Sequence, residues 1–384
     1  MTPPIRAITI GVAEPHPIPT DALATAVAAA QRTRTAFQAE GYEVQSIRIA
    51  TRPMLDDLAD RSPAAIVDYA AALEGRIHAG DPELIASIGP AAAHRPSFDL
   101  ERIEVLGEVL VRTRSLFGTV QLATVSDGLR QEAALPAARV ALRLAMETDE
   151  GFGAFRFAAI ACVEPGSPFF PAGYHDGPAS LSIGWQGASV VAAVAGEGPP
   201  ESITARVRDA IIHAGTPIVA LGERMAAELG LRFGGLDPSP APYGDDSIGA
   251  AIESCGYGPI GSPGTLAVVG ALTAALKDTR LPTCGYAGLM LPVMEDPVLA
   301  QRWSDRDLGI HQLLAYSAIC GTGLDAIPLP GDTAASEMAA IYLDVATMAL
   351  RLGKPLSARL MAVPGKKRGE VTAFTSPHLV NTRI

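Results

Sequence analysis

Short apolar runs alternate along this chain with longer stretches in which apolar residues recur every three to four positions, the signature of strands interleaved with amphipathic helices. Ile5 to Ile10 reads as a buried strand, and Thr20 to Glu40 as an Ala-rich helix that opens on a Thr cap and stops at Gly41. Tyr42 to Ala50 predicts the next strand. Ser62-Pro63 starts a helix in the preferred cap-then-proline order and carries it to about His78. A strand at Leu84 to Ile88, a helix near Leu100 to Arg114, a strand at Thr119 to Val125 and a helix near Leu135 to Met146 continue the alternation.

The middle of the chain changes character. Phe155 to Val163, Ala179 to Trp185 and Ser189 to Val194 are three strand-like runs with no long helix among them, which predicts antiparallel pairing. Helices resume at Glu201 to His213 and Thr216 to Leu229. Then come a strand at Leu231 to Leu236, helices at Asp246 to Cys255 and Ser262 to Leu276, a strand at Leu289 to Val293, helices at Asp307 to Ile319 and Thr333 to Leu352, and a closing strand at Ala358 to Val363. No linker or repeat interrupts the series. One large α/β domain over residues 1–384 is expected, with strands of both orientations, as a closed barrel or a large mixed sheet.

Between these elements lie five Gly- or Pro-rich loops: Pro168 to Gly177, Gly235 to Ser247, Gly261 to Thr265, Cys284 to Gly288, and Cys320 to Thr333. Three of them end where a helix should begin, so Asp245 or Asp246, Ser262 and Thr333 are cap candidates. The same termini, if they converge, would bind an anion through free amides. The densest loop is the last, with a thiol at its head and Asp325 and Asp332 within it; turn and cap roles compete there with contact to substrate or metal.

Composition narrows the function classes. Hydrophobic residues are 48% of 384 and charged residues 18%, ample for a large core, and aromatics are only 5%. The formal charge of -11 argues against nucleic acid, which needs a concentrated basic face. The one short basic cluster, Lys366-Lys367-Arg368, reads as a solvated loop. Four well-separated cysteines without a CxxC pair suit free thiols in a reducing cytoplasm. Neither a signal peptide nor a membrane span is expected, since Thr265 to Leu276, the longest apolar stretch, is too short to cross a bilayer. An Ala-rich composition permits a homodimer.

No zinc spacing, Walker A lysine, nucleophile elbow or dinucleotide fingerprint in strand context is found, so the sequence names no metal and leaves the cofactor unknown. His175 lies in a Gly-flanked loop beside Tyr174 and Asp176, where a carboxylate could orient its imidazole for acid–base work, against a structural role in the loop. Cys320, at the carboxyl end of a helix, gains no thiolate character from the dipole; it is either a buried filler or a pocket thiol.

Taken together, the loops resemble the domain-of-unknown-function family 711. The family pattern A-I-C-x-x-G-L-D-x-I-x-x-P-x-D-T is met by Ala318, Ile319, Cys320, Gly323, Leu324, Asp325, Ile327, Pro330, Asp332 and Thr333. D-x-S-x-A-P is met by Asp237, Ser239, Ala241 and Pro242, and the following D-S by Asp246 and Ser247. Pro168, Phe169, Ala172, Gly173 and His175 approximate a further segment, and Ile5, Arg6, Ile8, Thr9 and Gly11 meet the amino-terminal one. Pro263 stands where the family usually has histidine. The resemblance implies a barrel of about ten strands in two antiparallel halves, related to pyruvate formate-lyase and ribonucleotide reductase, with the cysteine loop near its centre. The glycyl-radical signature is absent.

The expectation is therefore a cytoplasmic, non-radical enzyme acting on a small anionic metabolite in a central pocket. His175, Cys320 and Asp325 are its catalytic candidates, and Tyr174, Asp237, Asp246, Ser247, Ser262, Thr265 and Asp332 its substrate contacts. A ligand-binding sensor using the same pocket without chemistry is the alternative.

Overall fold

All ten strands of the described residues join a single continuous sheet, and the sheet curves around a second, smaller interior. The structure is a computed structural model that describes residues 2–384, so the domain expected from residue 1 is seen from residue 2. Its strands are β1 (Ile5–Gly11), β2 (Ile47–Ala50), β3 (Ile85–Ala91), β4 (Leu116–Thr124), β5 (Gly128–Leu129), β6 (Phe157–Ala161), β7 (Ser180–Trp185), β8 (Arg232–Asp237), β9 (Gly323–Pro330) and β10 (Leu356–Val363). The order is β8-β7-β1-β2-β3-β4-β6-β10-β9, with β5 paired to β4 off this path.

Five strands, β1, β2, β3, β4 and β6, run parallel in the centre. On one side β7 is antiparallel to β1 and parallel to β8; on the other, β10 is antiparallel to β6 and parallel to β9. The expected α/β domain with a mixed ten-stranded sheet is what the chain forms. Its edges, β8 and β9, are not joined by a ladder. Residues 282–294 touch both at isolated points: Cys284 donates its N–H to Leu236 O at 3.1 Å, and Val293 donates to Asp325 O at 3.0 Å.

Alternation along the strands separates two cores. In β6, Phe157, Ala159 and Ala161 belong to the large cluster that the helices cover, whereas Ala158 and Ile160 face a small one with Val163, Phe169, Ala172, Ala241, Tyr286 and Met290. A period of two is what a sheet buried on both faces requires. The helices supply the outer layer with Ala, Val, Leu and Ile, as the low aromatic content led us to expect.

Several local expectations change. Ser189 to Val194 is not a strand: Ala188–Ala192 is helical, with Ala188 and Val191 buried, so packing overrides the β preference of valine. Nor do β6 and β7 pair with each other. The two helices expected on either side of Gly215 are one, Pro200–Leu229, with Pro217 inside it; Ile211, Ile218 and Leu221 hold it by burial although one internal hydrogen bond is missing. The helix expected from Asp246 begins at Ile248, and its cap is Ser247, whose Oγ accepts from Ala250 N. Neither Ser262 nor Thr333 is a cap; Gly264 and Ala334 hold those positions. Residues 323–330, read as loop, form β9. Pro328 and Pro330 are tolerated there because β9 is an edge strand with a neighbour on one side only.

The loops around Gly288 and Gly321 approach backbone to backbone. A Cβ built on Gly321 would lie 2.6 Å from Gly288 Cα, although neither glycine has a positive φ. Close approach alone excludes a side chain. We expect Gly321→Ala to lose about 1–3 kcal/mol of stability in urea unfolding. Gly75→Ala, in a helix with nothing within 4 Å of the added carbon, should gain about 0.5–1 kcal/mol. Equal effects at the two positions would refute this account of the loop contact.

Candidate functional site

Asp237 gathers the loops. It ends β8, is fully buried, and accepts from Ser239 N (3.0 Å), Ser239 Oγ (2.6 Å), Tyr286 N (2.9 Å) and Ala287 N (3.1 Å). Burial pushes its carboxyl up, and these donors pull it back. Ser239 Oγ in turn accepts from Gly288 N at 3.0 Å. Gly285 leaves the space beside Asp237 that any Cβ would occupy. Two of the five loops are thereby bound to one another, the contact of Gly288 with Gly321 adds a third, and Ala241, Pro242, Tyr243, Tyr286 and Met290 stand at the wall of one cavity.

That cavity has a volume of about 380 Å³ and lies inside the curved sheet. This is within the range of small-ligand sites, about 300–1,000 Å³. Its lining comes from the first residues of the central strands, among them Arg6 of β1, Arg48 of β2, Phe117 of β4 and Ala158 of β6, with Asp325 of β9 and Arg359 of β10 opposite. Phe117, Phe155, Phe169 and Phe170 give it aromatic walls. Five arginines and three carboxylates line it, an excess of positive charge inside an acidic protein.

A chain of charges crosses the cavity. Arg6 Nη2 donates to Glu295 Oε2 at 3.2 Å; Arg359 pairs with Glu295 and donates from Nε to Asp325 Oδ1 at 2.6 Å. Burial works against the Arg359 charge, but Asp325 and Glu295 outweigh it and raise its proton affinity. Burial pushes Asp325 up as well, against the pull of Arg359. The short Arg359–Asp325 contact is that of an ion pair, and we read the set as charged. Arg359 also lies 4.2 Å from the centroid of the Phe155 ring.

Arg48 stands apart from this chain. Its residue exposure is 8%, yet among the described residues no carboxylate lies within ion-pair range of it. Nε donates to Ser46 Oγ at 3.0 Å and Nη1 to Pro168 O at 3.2 Å, and Nη2 has no protein acceptor. Its plane lies over Phe170, 5.2 Å from the ring centroid. Burial first, then Arg6, pulls its guanidinium down to about 9. A guanidinium stays charged at neutral pH even so; Glu295 opposes the shift from beyond ion-pair range, and what remains expresses the cost of a buried charge with no directly paired carboxylate.

The sequence-derived candidates fall in several places. Asp325 lines the cavity. His175, 1% exposed, sits behind it: Gly177 O lies 3.1 Å from Nε2, Ser180 Oγ lies 3.4 Å from Nδ1, and a Cβ on Gly11 would come within 2.6 Å of its Cγ. Asp176, expected to orient that imidazole, pairs with Arg52 at 3.1 Å instead. Burial lowers the His175 proton affinity. Tyr174 donates to Val163 O at 3.1 Å at the margin of the inner cluster.

Cys320 is sealed in the main core, where burial pushes its thiol up. Lys354 donates to Ser317 O at 2.9 Å and to Cys320 O, closing the carboxyl end of helix Ile310–Ile319. Asp246 accepts from Gln186, one side chain removed from the lining residue Gln45. Ser247 donates to Asp296 Oδ1 at 2.7 Å. Thr265 Oγ1 accepts from Gly261 N at 3.1 Å, and Ser262 lies in that same turn, away from the cavity. Asp332 lines a separate hollow of about 130 Å³ with Thr333 and Met146.

Sequence reasoning missed Arg6, Arg48, Glu295, Tyr286 and Arg359. Arg6, Arg48 and Arg359 carried the one usable signal, a charged residue inside an otherwise apolar strand run. Among the described residues no cluster of three or more His, Cys, Asp or Glu is arranged to hold a metal, and no helix is long and apolar enough to cross a membrane.

Removing Arg359 leaves two buried carboxylates short of a partner. Arg359→Met should lose about 3–5 kcal/mol at neutral pH in urea unfolding. The deficit should shrink as pH falls, because burial has already raised the Asp325 carboxyl and its protonation removes one of the charges left without Arg359. A pH-independent loss would mean that packing against Phe155, not charge, is what Arg359 contributes.

Comparison with known proteins finds relatives over most of the chain. A protein described as a UPF0210 protein in Pyrobaculum arsenaticum is 32% identical over 359 residues, covering 86% of this chain and 76% of its own length. Its counterpart in Pyrobaculum islandicum is 32% identical over 349 residues with the same coverage. One in a Thermoanaerobacter species is 30% identical over 292 residues, covering 72% of this chain and 64% of its own. The family model described as "Uncharacterised ACR (DUF711)" matches residues 2–375, and the chain belongs to that family.

Proposed function

We propose that this protein binds a small organic anion in the arginine-lined cavity and acts on it there, with residues 282–294 completing a barrel of the kind the family resemblance implies. One observation carries the reading: Arg48 is buried, charged and without a counter-ion, in a cavity large enough for a metabolite. An isolated buried charge is destabilising unless something neutralises it. Glu295 offsets the charge only from beyond ion-pair range, so a ligand carboxylate or phosphate in direct contact is the natural partner. Arg48 has already oriented two of its donors on Ser46 and Pro168, which leaves Nη2 preorganised for an incoming oxygen.

The enzyme reading rests on what surrounds the anion. Asp325 and Glu295 are carboxylates held next to arginines, and Tyr286 brings a phenol to the same space. Acid, base and anion binder in one enclosed volume is the arrangement that proton-transfer chemistry uses. The four cysteines are unpaired, which accords with the reducing cytoplasm expected from the sequence. Cys320 and His175 support the walls in this reading and do not touch the ligand.

The test is Arg48→Met. Pro168 O keeps its hydrogen bond from Thr9 Oγ1 at 3.2 Å, and Ser46 Oγ still donates to Arg6 O at 2.7 Å, so the substitution strands neither group. The ligand-free variant should be at least as stable as the parent, by up to about 2 kcal/mol in urea. Calorimetric titration with a panel of small carboxylates and phosphate esters should show at least tenfold weaker binding to the variant, from the loss of one charge-assisted contact. Unchanged affinity in Arg48→Met, or no binding by any anion to the parent, would remove the basis of the proposal.

A further inference from the structure

The cavity has a second polar feature that the anion does not explain. Tyr286 is 4% exposed and lines the cavity, and its hydroxyl is sealed from solvent without a hydrogen-bond partner. Ser357 Oγ, close enough to temper the phenol, donates its own proton to Thr322 O at 3.0 Å, and no hydrogen bond of ordinary geometry joins the two hydroxyls. Burial raises the phenol well above its usual value, so it carries its proton and can donate.

The residue that holds this hydroxyl is fixed at both ends of its own backbone. Tyr286 N donates to Asp237 Oδ2 at 2.9 Å, and Lys277 Nζ donates to Tyr286 O at 3.0 Å. Gly285 and Gly288, on either side, allow the loop to press against Asp237 and against Gly321. A loop tied down so closely does not swing its phenol to another acceptor. A buried unpartnered donor is destabilising in the empty protein, and the loss is recovered when an acceptor arrives.

Building on the proposal of an anion at Arg48, we infer that the ligand is an oxygenated acid: one anionic head that meets Arg48, a flat apolar body lying along Phe117 and Phe170, and a second oxygen, a carbonyl or an ether, that accepts from the Tyr286 hydroxyl. The two poles lie on different walls, Arg48 in β2 and Tyr286 in the loop that follows β8 and its helices. Phe117 and Phe170, with ring centroids 5.5 Å apart, form part of the wall, and Arg48 lies over Phe170. A simple inorganic anion satisfies Arg48 alone. Only a molecule with a second acceptor satisfies both groups.

Two matched pairs of acids separate the poles: 3-phenylpropanoate against 2-oxo-3-phenylpropanoate, and 4-phenylbutanoate against 4-oxo-4-phenylbutanoate. Calorimetry on the parent should show the oxo acid of at least one pair binding tenfold or more tighter than its deoxy partner. Tyr286→Phe removes only the orphaned hydroxyl, so the variant folds. It should bind the deoxy acid as the parent does and bring the ratio to within about twofold of unity, whereas Arg48→Met weakens both members of the pair. An unchanged ratio in Tyr286→Phe, with Arg48→Met still weakening both acids, overturns the second pole and leaves the anion reading intact. No preference for either oxo acid in the parent overturns the second pole as well. Failure of all four acids to bind a parent that binds other anions of the panel overturns the oxygenated aryl acid and leaves the anion reading intact, whereas failure of every anion overturns both proposals.

Discussion

The salt-bridge chain from Arg6 through Glu295 and Arg359 to Asp325 is the constraint on which the interior depends. It joins β1 to β9 across the space that the sheet encloses, and Glu295 directly follows the segment that touches both sheet edges. Four ionised groups in so little solvent are tolerable only when each has a partner of opposite sign and its remaining sites are occupied. Gln45 serves Arg6, and the Phe155 ring lies against Arg359. The pairing fixes the distance between the two sides of the curved sheet, so the volume between them is set by charge geometry as much as by packing.

This accounts for where the cavity lies. In open parallel sheets ligands usually sit beyond the carboxyl ends of the strands. Here that end is filled: His175 donates its N–H to Thr51 O, Cys162 its N–H to Ala123 O, and the loop from Cys162 to Gly177 folds over the strand ends. The lining residues instead come early in their strands, Arg48 second in β2, Phe117 second in β4 and Ala158 second in β6. Four of the five glycine loops that suggested a site from the sequence do reach the cavity, and the turn at residues 261–265 does not. What they contribute is backbone, apolar side chains, the Tyr286 phenol and the Asp325 carboxylate, with Asp237 holding two of them together.

The elements were legible where one principle dominates. β1, β10 and the Ser62-capped helix are simple cases of period and cap. Legibility failed where tertiary packing decides, as in helix Ala188–Ala192, whose valines read as a strand, and in β9, whose two prolines read as a loop. The chemistry was misjudged for a related reason. Sequence reading favours residues with intrinsic reactivity, so a thiol and an imidazole drew attention, whereas burial makes both unreactive here: Cys320 lies in the main core and the His175 ring faces Gly177 and Ser180. Arginines in strands carried less signal because a strand position can face solvent, core or cavity, and only the assembled sheet says which.

Arg48 and Arg156 show how the same side chain at similar burial takes different roles. Both line the cavity, both are under a tenth exposed, and among the described residues neither has a carboxylate in ion-pair range. Arg156 gives Nη1 to Leu116 O at 2.8 Å and Nη2 to Leu110 O at 2.6 Å, so its charge is absorbed by two main-chain carbonyls and its role is to join a helix end to a strand. Burial pulls it down to about 10, with Glu74 opposing, and it has little left to offer a ligand. Arg48 has committed only Nε and Nη1, one of them to a neutral hydroxyl, and the repulsion of Arg6 outweighs the attraction of Glu295. Truncating Arg156 would strand two buried carbonyls, and truncating Arg48 strands none. A buried cation that the fold can do without is best explained by something outside the fold that it binds.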